Sequence, residues 1–426
     1  MLKKVLILTY CFPPSNQGST HRADAWAKYL SLFGYYPIFI TRNWDIPLQN
    51  AKDAYKPTGN EIKHKKTDTY EVYYLPFRPT FREKMFVKWR NTVLKIPYLS
   101  LYFMEGIIEK FTNKVISFAN IYDFARKYLS ENKDIQQLII IAGPFQLFKF
   151  AYLLHKEFNI QWLANYQDDW TTNELIIDNL PKKILNQFNR IYEKKWLASA
   201  TYVTSVTPFY LQRILHLLQK EGSVLYLGYD DIEQFQPIEE KETFTIIYNG
   251  SLYNSQNVSI FLNAFKKFID NHPKSSINLL FLGLDFNEQA SKRVQGLLKK
   301  YEAYYTITER LPKEEYMGKM LGAQILLLIA YGNLRGFMPT KLYEYIACKK
   351  QILLCPSDKD SMQKVLEETN LAFFCNTEET AYTFLTEQYN HWKENKATTL
   401  IPNEKAIAQY SRKEQTKRLA EILDRI

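Results

Sequence analysis

No run of apolar residues in this sequence approaches the roughly 18 that a helix needs to cross a bilayer. The longest, QLIIIAG at 137–143 and AQILLLIA at 323–330, have the length of buried strands. Cysteine is scarce. Cys11, Cys348, Cys355 and Cys375 form no Cys-x-x-Cys pair and no zinc-ligand spacing. Three of them sit in apolar stretches, where a reduced thiol behaves as a small hydrophobe. This pattern excludes a disulfide scaffold and points to a cytoplasmic protein. A Gly-x-Gly-x-x-Gly fingerprint is also missing, so nicotinamide dinucleotide binding has little support. There is no low-complexity tract, no short-period repeat and no recognisable nucleic-acid module. The opening MLKKVLILTYCFPP has an apolar core of only about six residues and no small-residue cleavage site, and reads as a buried first strand.

What is present is a chain of 426 residues that is 46% hydrophobic and 23% charged. That length and composition fit two or three globular domains with large cores. The formal net charge of +10 invites an anionic partner: nucleic acid, acidic lipid or a phosphorylated ligand.

Short apolar strands alternate with amphipathic helices in two blocks. The first runs KVLILTY (4–10), a loop CFPPSNQGS, a helix ending at Gly34, and YPIFIT (36–41). It resumes with QLIIIAG (137–143), a helix, QWLANYQ (161–167), a helix near 181–198, TYVTSVT (201–207) and SVLYLGY (223–229). The second opens at FTIIYNG (244–250) and continues through INLLFLGL (277–284), YTITERL, AQILLLIA and QILLCP, with helices over 257–271, 287–301, 313–321 and 340–349. Continuous apolar strands separated by helices predict parallel sheets covered on both faces. The expected architecture is α/β, with two Rossmann-like doubly wound domains facing a central cleft and joined near QPIEEKET (236–243). Residues 80–118 interrupt this order. Arg82, Lys84, Lys88, Arg90 and Lys95 are interleaved there with aromatic and aliphatic residues. Such a segment reads as an inserted helical hairpin, or as a face resting on anionic lipid headgroups.

Three constellations could carry chemistry. In TYCFPPSNQGSTHR (9–22), Gly18 permits a tight turn after the first strand, Ser19 or Thr20 can cap the next helix, and Arg22 follows. The helix end then suits a phosphate or a sugar oxygen, although an ordinary strand-to-helix turn uses the same residues. In ANYQDDWTTNE (164–174), Asp168 and Asp169 fall at the carboxyl end of a strand. There they could accept hydrogen bonds from sugar hydroxyls, serve as a proton acceptor, or merely cap a helix. Gly143 ends an earlier strand in the same way.

The third lies in RGFMPTKLYEYIACKKQILLC (335–355). Pro339 suits the start of a helix because it has no N–H to leave unpaired. Lys341 and Glu344, three residues apart, then share one face, with Leu342, Tyr345 and Ile346 on the packed side. A cation at a helix start opposes the helix dipole unless an anion is nearby. Arg335 or Lys341 could meet a diphosphate while Glu344 accepts from a ribose diol; the plain alternative is a surface i,i+3 pair.

These stretches, in this order, resemble the GT-B glycosyltransferases, specifically glycosyltransferase family 4 of the bacterial group 1 type. VLILTYCFPPSNQGSTHRADAWAKYLSLFGYYPIFIT is similar to the family's opening strand, glycine loop and helix. IAGPFQLFKFAYLLHKEFNIQWLANYQDDWT resembles a Gly-Pro-Pro-Phe-like turn leading to a strand that ends in Asp-x-Trp. VLYLGYD (224–230) resembles the turn into the interdomain linker, and IIYNGSLYNSQNVSIFLNAF the first strand and helix of the donor domain. GFMPTKLYEYIACKKQIL resembles the donor-site helix, and YSRKEQTKRLAEIL (410–423) the helix that crosses back to the first domain.

The resemblance implies an acceptor-side domain over 1–237, a nucleotide-sugar domain over 238–405 and a returning C-terminal helix over 406–426. It implies a hexosyltransferase, retaining in outcome, with no cofactor and no metal. The substrates would be a nucleotide sugar and a saccharide or polyprenyl-linked acceptor, in assembly of capsule or O-antigen polysaccharide at the inner face of the cytoplasmic membrane. Donor binding would fall to Gly250, Ser251, Arg335, Gly336, Thr340, Lys341, Leu342 and Glu344. The acceptor or phosphate loops would use Gly18, Ser19, Arg22 and Gly143, and catalysis Asp168, Asp169 and Lys341. Two departures stand out. The family has Glu, seven residues, Glu across the donor helix; Glu344 matches the second, but Gly336 stands at the first. The family's Arg and Lys after the first donor-domain strand fall near Ser251 and Gln256. Both charges are missing, and Lys341 with Arg335 are the expected substitutes. The departures also motivate a second reading, a non-catalytic binding or scaffolding subunit of a polysaccharide assembly, and a third, an epimerase acting on a nucleotide sugar. Nucleic-acid binding is not expected.

Overall fold

The structure is a computed structural model that describes residues 2–47, 52–89, 95–173, 180–239, 242–273, 275–332, 334–395 and 400–426. Arg90 and the side chains of Lys88 and Lys95, part of the basic stretch noted above, lie outside the described residues. So do residues 240 and 241 of the segment read as a linker. The chain forms two compact units. One comprises Met1–Leu227 with Gln415–Ile426, the other Gly228–Glu414.

In the first unit the apolar runs become β1 (Lys3–Thr9), β2 (Tyr35–Arg42), β3 (Lys63–Lys66), β4 (Glu71–Leu75), β5 (Gln137–Ile141), β6 (Gln161–Tyr166), β7 (Tyr202–Ser205) and β8 (Gly222–Val224). They lie in the order β3-β4-β2-β1-β5-β6-β7-β8, and every pairing is parallel except β3 with β4. Side chains alternate across the sheet with the period of two that a pleat imposes. Leu6, Leu8, Leu138 and Ile140 join one buried cluster with Ile121, Leu147 and Trp162. Val5, Ile7, Ile139 and Ile141 join a second with Trp26, Leu419 and Leu423. Both faces are therefore covered, the second partly by the returning C-terminal residues. Each fully buried aliphatic side chain contributes about 1.5–3 kcal/mol.

The second unit holds β9 (Phe244–Asn249), β10 (Ile277–Leu282), β11 (Tyr305–Ile307), β12 (Ile325–Leu328), β13 (Gln351–Leu354) and β14 (Ala372–Phe374). Their order is β11-β10-β9-β12-β13-β14, and all of them run parallel. In each sheet the strand order reverses once, at β1/β5 and at β9/β12, and a doubly wound fold takes ligands at the carboxyl ends of the strands beside such a reversal.

The two parallel sheets expected from the apolar runs are both present. The β3–β4 pair was not foreseen: Lys63–Lys66 is exposed throughout and shows no alternation. SVLYLGY is mostly not a strand of this sheet: β8 is only Gly222–Val224, and Tyr229 forms a separate bridge to Ser411. Gly228 then turns at φ +69°, and a Cβ there would stand 2.8 Å from the Tyr410 carbonyl oxygen. The close approach of these two backbones ends the extended run and requires glycine.

Candidate active site

In the second unit the carboxyl end of β9 and the start of the helix Thr340–Cys348 come together. Pro339 occupies the N-cap in an extended conformation, so Thr340 begins the helix and its first N–H groups carry no side-chain cap. Leu342, Tyr345 and Ile346 are fully buried and hold the helix to the core. The Asn249 amide donates to the Tyr345 hydroxyl at 2.8 Å, tying the helix to the last residue of β9. One turn away, Lys341 reaches Ser251: its Nζ donates to the Ser251 carbonyl at 3.3 Å and lies 4.0 Å from the centre of the Tyr248 ring. Gly250, at φ +88°, lets the backbone turn there, and its position for a Cβ is 3.6 Å from Lys341 Nζ.

A half-buried ammonium facing one carbonyl and an aromatic ring is poorly solvated, and burial pulls the Lys341 pKa down to about 7, with the Glu344 charge opposing. Glu344 accepts from the Tyr316 hydroxyl at 3.2 Å. Burial pushes its carboxyl above the usual range, while Tyr316, Lys313, Arg412 and Lys341 pull the other way. Arg335 faces a different carboxylate. Its guanidinium stands 3.6 Å from Asp360, and its side chain is 70% exposed. Gly336 is buried at φ +71°. Gln256, at the second position where a family cation would fall, is a brace. It accepts from the Tyr253 amide at 2.9 Å and the Tyr248 hydroxyl at 3.3 Å, and donates to the Ile329 carbonyl at 2.7 Å. That network links the β9 and β12 ends across the strand-order reversal.

In the first unit the loop after β6 carries both candidate aspartates, and they differ. Asp168 is exposed, whereas Asp169 is only 3% exposed. Asp169 accepts from the Thr172 hydroxyl at 3.3 Å and faces Arg213 at 3.9 Å. Burial nevertheless pushes its pKa up to about 6, with Arg213 and Thr172 opposing. The loop is held from behind by Glu193, wholly buried, which accepts from the Tyr166 hydroxyl at 2.8 Å, the Thr171 amide at 3.2 Å and the Thr171 hydroxyl. Arg213 donates to the Thr172 carbonyl, and Asn186 to the Thr171 carbonyl at 3.1 Å.

Gly143, at φ +116°, ends β5 in a conformation that favours glycine. Gly18 takes no such conformation. Ser19 stands at the cap of the helix Thr20–Tyr29 but, among the described residues, its side chain makes no capping bond and the buried Thr20 hydroxyl has no partner. Arg22 is buried, and its two terminal nitrogens donate to the carbonyls of Leu225 at 2.5 Å and Tyr226 at 2.9 Å. These bonds fasten the helix to the segment after β8.

Sequence reasoning missed Tyr316, Tyr248, Arg213 and Glu193. Glu193 alone had a signal. It falls on the buried stripe Leu185, Asn186, Trp196, Leu197 of the helix Leu180–Leu197, where an acid at helical spacing among buried residues marks an internal hydrogen-bond acceptor.

No protein-family model and no curated protein matches this sequence. Solved structures do match. The chain is similar over its full length to a glycosyltransferase from Rickettsia africae, with 12% identity, 98% of that chain covered and a TM-score of 0.62. It is similar to HepE from Anabaena in complex with UDP and glucose, with 9% identity, all of both chains covered and a TM-score of 0.60. It is also similar to sucrose-phosphate synthase from Thermosynechococcus elongatus, with 13% identity, 99% of this chain and 94% of that one covered, and a TM-score of 0.55. Likeness of this extent at such low identity is likeness of fold, and the fold is that of the GT-B glycosyltransferases.

Proposed function

We propose that this protein is a glycosyltransferase that moves a hexose from a nucleotide sugar to a hydroxyl of a saccharide or polyprenyl-linked acceptor, in assembly of a cell-surface polysaccharide. The observation that carries the reading is the placement of Lys341 against Ser251 and Gly250, at the β9/β12 reversal, with Glu344 on the same helix. A diphosphate lodged there would receive the Thr340 helix end and the Lys341 ammonium, while Glu344 would accept from a ribose diol. As the bond from sugar to diphosphate breaks, negative charge grows on the leaving phosphate, and a protonated Lys341 in a poorly solvated setting stabilises it. Asp168, exposed at the β6 end, would orient the acceptor hydroxyl, with Asp169 and Arg213 fixing the loop behind it. No metal is invoked, and a chelator is expected to leave turnover unchanged. Retention of configuration follows from the family resemblance and is read from the anomeric form of the product.

The decisive experiment is a thermal-shift and calorimetric screen against nucleoside diphosphates and nucleotide sugars, because a ligand bound only by the folded chain raises its melting temperature. UDP is the first to try, since HepE was crystallised with it. A chain that binds none of them is not a transferase of this kind.

Gly336, where the resemblance places a glutamate, favours a second reading: a binding or scaffolding protein on the same fold. Nucleotide binding with neither transfer nor hydrolysis of any donor would select it.

No helix among the described residues is long and apolar enough to cross a membrane. Contact with an anionic membrane through 80–118 would be peripheral. Exposed Met104 and Phe111, and Ile184 and Ile191 on the helix Leu180–Leu197, offer apolar side chains for it. Co-sedimentation with phosphatidylglycerol vesicles but not phosphatidylcholine vesicles is the expected result.

A further inference from the structure

The inserted segment of the first unit closes one side of a cavity of about 260 Å³. The helix Lys95–Ile108 forms one wall, the turn Pro144–Gln146 after β5 a second, Trp170 after β6 a third, and the helix Leu180–Leu197 the fourth. Gly106 makes the wall close, since a Cβ there would meet Leu185 Cδ1 at 3.2 Å.

Its chemistry is specific. Phe145 is half-buried, with Trp170 stacked on it at 5.1 Å and 8° and Trp196 stacked in turn on Trp170 at 5.8 Å and 20°. The aromatic surface is therefore rigidly backed. Tyr102, 47% exposed, contributes a second ring. The charges are already matched within the lining. Arg82 pairs with Glu105, and Lys110, whose side chain is 1% exposed, pairs with Glu109 at 2.7 Å. Glu109 also accepts from Gln146 Nε2 at 2.8 Å. One acceptor is left over: Asn189 Oδ1 is buried and, among the described residues, has no hydrogen-bond partner.

A ligand for such a site needs hydroxyl donors for carboxylates and an amide oxygen, a flat apolar face for Phe145, and no net charge. A nucleotide does not fit, because both lining cations are already paired with carboxylates and leave none for a diphosphate, and the volume lies below the about 300–1,000 Å³ of pockets for larger ligands. An acyl chain would strand the buried Asn189 oxygen without a donor. A pyranose ring meets every condition. Its hydroxyls donate around the rim, and the C–H face of the ring lies on the aromatic surface.

We propose that this cavity binds one uncharged pyranose residue of the acceptor glycan, so that the insertion selects the acceptor. This rests on the glycosyltransferase reading above. The loop that places Trp170 on the wall also carries Asp168 two residues earlier, which links occupancy of the cavity to the acceptor side of the site.

The test uses the full chain without any donor, probed on an immobilised panel of uncharged mono- and oligosaccharides. At least one is expected to bind, with affinity falling tenfold or more in Asn189→Leu and in Phe145→Ala. Thermal unfolding and UDP binding serve as checks that each variant folds, and Asn189→Gln, which keeps the amide acceptor, should lose less than Asn189→Leu. Glycan binding that survives Asn189→Leu and Phe145→Ala overturns the proposal. So does UDP binding with no uncharged saccharide bound, or binding confined to anionic glycans. Glycan binding that depends on Asn189 in a chain that binds no nucleotide would keep the cavity's assignment and remove the transferase reading instead.

Discussion

Lys341 donates from Nζ to the carbonyl of Ser251, 90 residues earlier in the chain and at 3.3 Å, so the residue type missing from the β9 loop is supplied by the facing helix. Under the proposed function, that amine stands in for the cation that the family resemblance places after β9.

That charge is conditional. With a pKa near 7, Lys341 is largely a free amine at pH 8. A diphosphate beside it favours the protonated form, so binding should take up close to one proton, on the order of one per site at pH 8. Calorimetry of UDP binding in buffers of different ionisation enthalpy reads this directly, and Lys341→Met should abolish it while weakening binding by about 10–150-fold. Uptake that persists in the variant would remove Lys341 from the diphosphate site.

Glu344 is expected to recognise the ribose. Glu344→Gln should weaken UDP by roughly 1.5–3 kcal/mol and bring UDP and its 2′-deoxy analogue to similar affinities, whereas the parent chain should prefer the ribose form. Tyr316→Phe removes only one donor to that carboxylate and should cost about 0.5–1.5 kcal/mol.

Asp169 gives a pH signature. Its folded pKa is raised from the usual 3.8 to about 6, so between those values the folded chain holds a proton that the unfolded chain has released. Stability should therefore fall as pH rises from about 4 to about 6, by on the order of 1–3 kcal/mol. Asp169→Asn should lack that slope, and urea unfolding across the interval measures it.

Arg22 should matter to stability before it matters to ligands. Arg22→Met leaves the carbonyls of Leu225 and Tyr226 without their charged donors and should cost about 2–5 kcal/mol. The melting temperature should fall while UDP affinity per folded molecule stays unchanged.

Gly322 tests a tight backbone contact in the second unit. A Cβ at that position would stand 2.1 Å from the Ile238 carbonyl oxygen, and the Ile238 amide donates to the Gly318 carbonyl at 2.8 Å nearby. Gly322→Ala should destabilise by about 1–3 kcal/mol, seen as a lower urea midpoint.

How much of this could be read from the residues divides along physical lines. Strands buried on both faces, such as VLILT and QLIII, show as continuous apolar runs because nothing polar can be placed on them. Pro339 revealed the start of the helix because proline is tolerated there. The β3–β4 pair was hidden because an exposed edge strand has no apolar pattern to read. Gln256 and Arg22 were opaque for another reason. A buried polar residue is defined by the backbone atoms it meets, and those partners lie 73 and more than 200 positions away. Tyr248 and Tyr316 are likewise joined to Lys341 and Glu344 only by the folded geometry.

Because residues 415–426 belong to the first unit while 228–414 form the second, the polypeptide starts one body, builds another, and returns to finish the first. On the ribosome the second unit has all of its residues before the first does. Until Leu419 and Leu423 emerge, the face of the eight-stranded sheet bearing Val5, Ile7 and Ile139 stays partly uncovered. A chain stopped just before codon 415 should therefore be a sticky, chaperone-bound product rather than a soluble fragment.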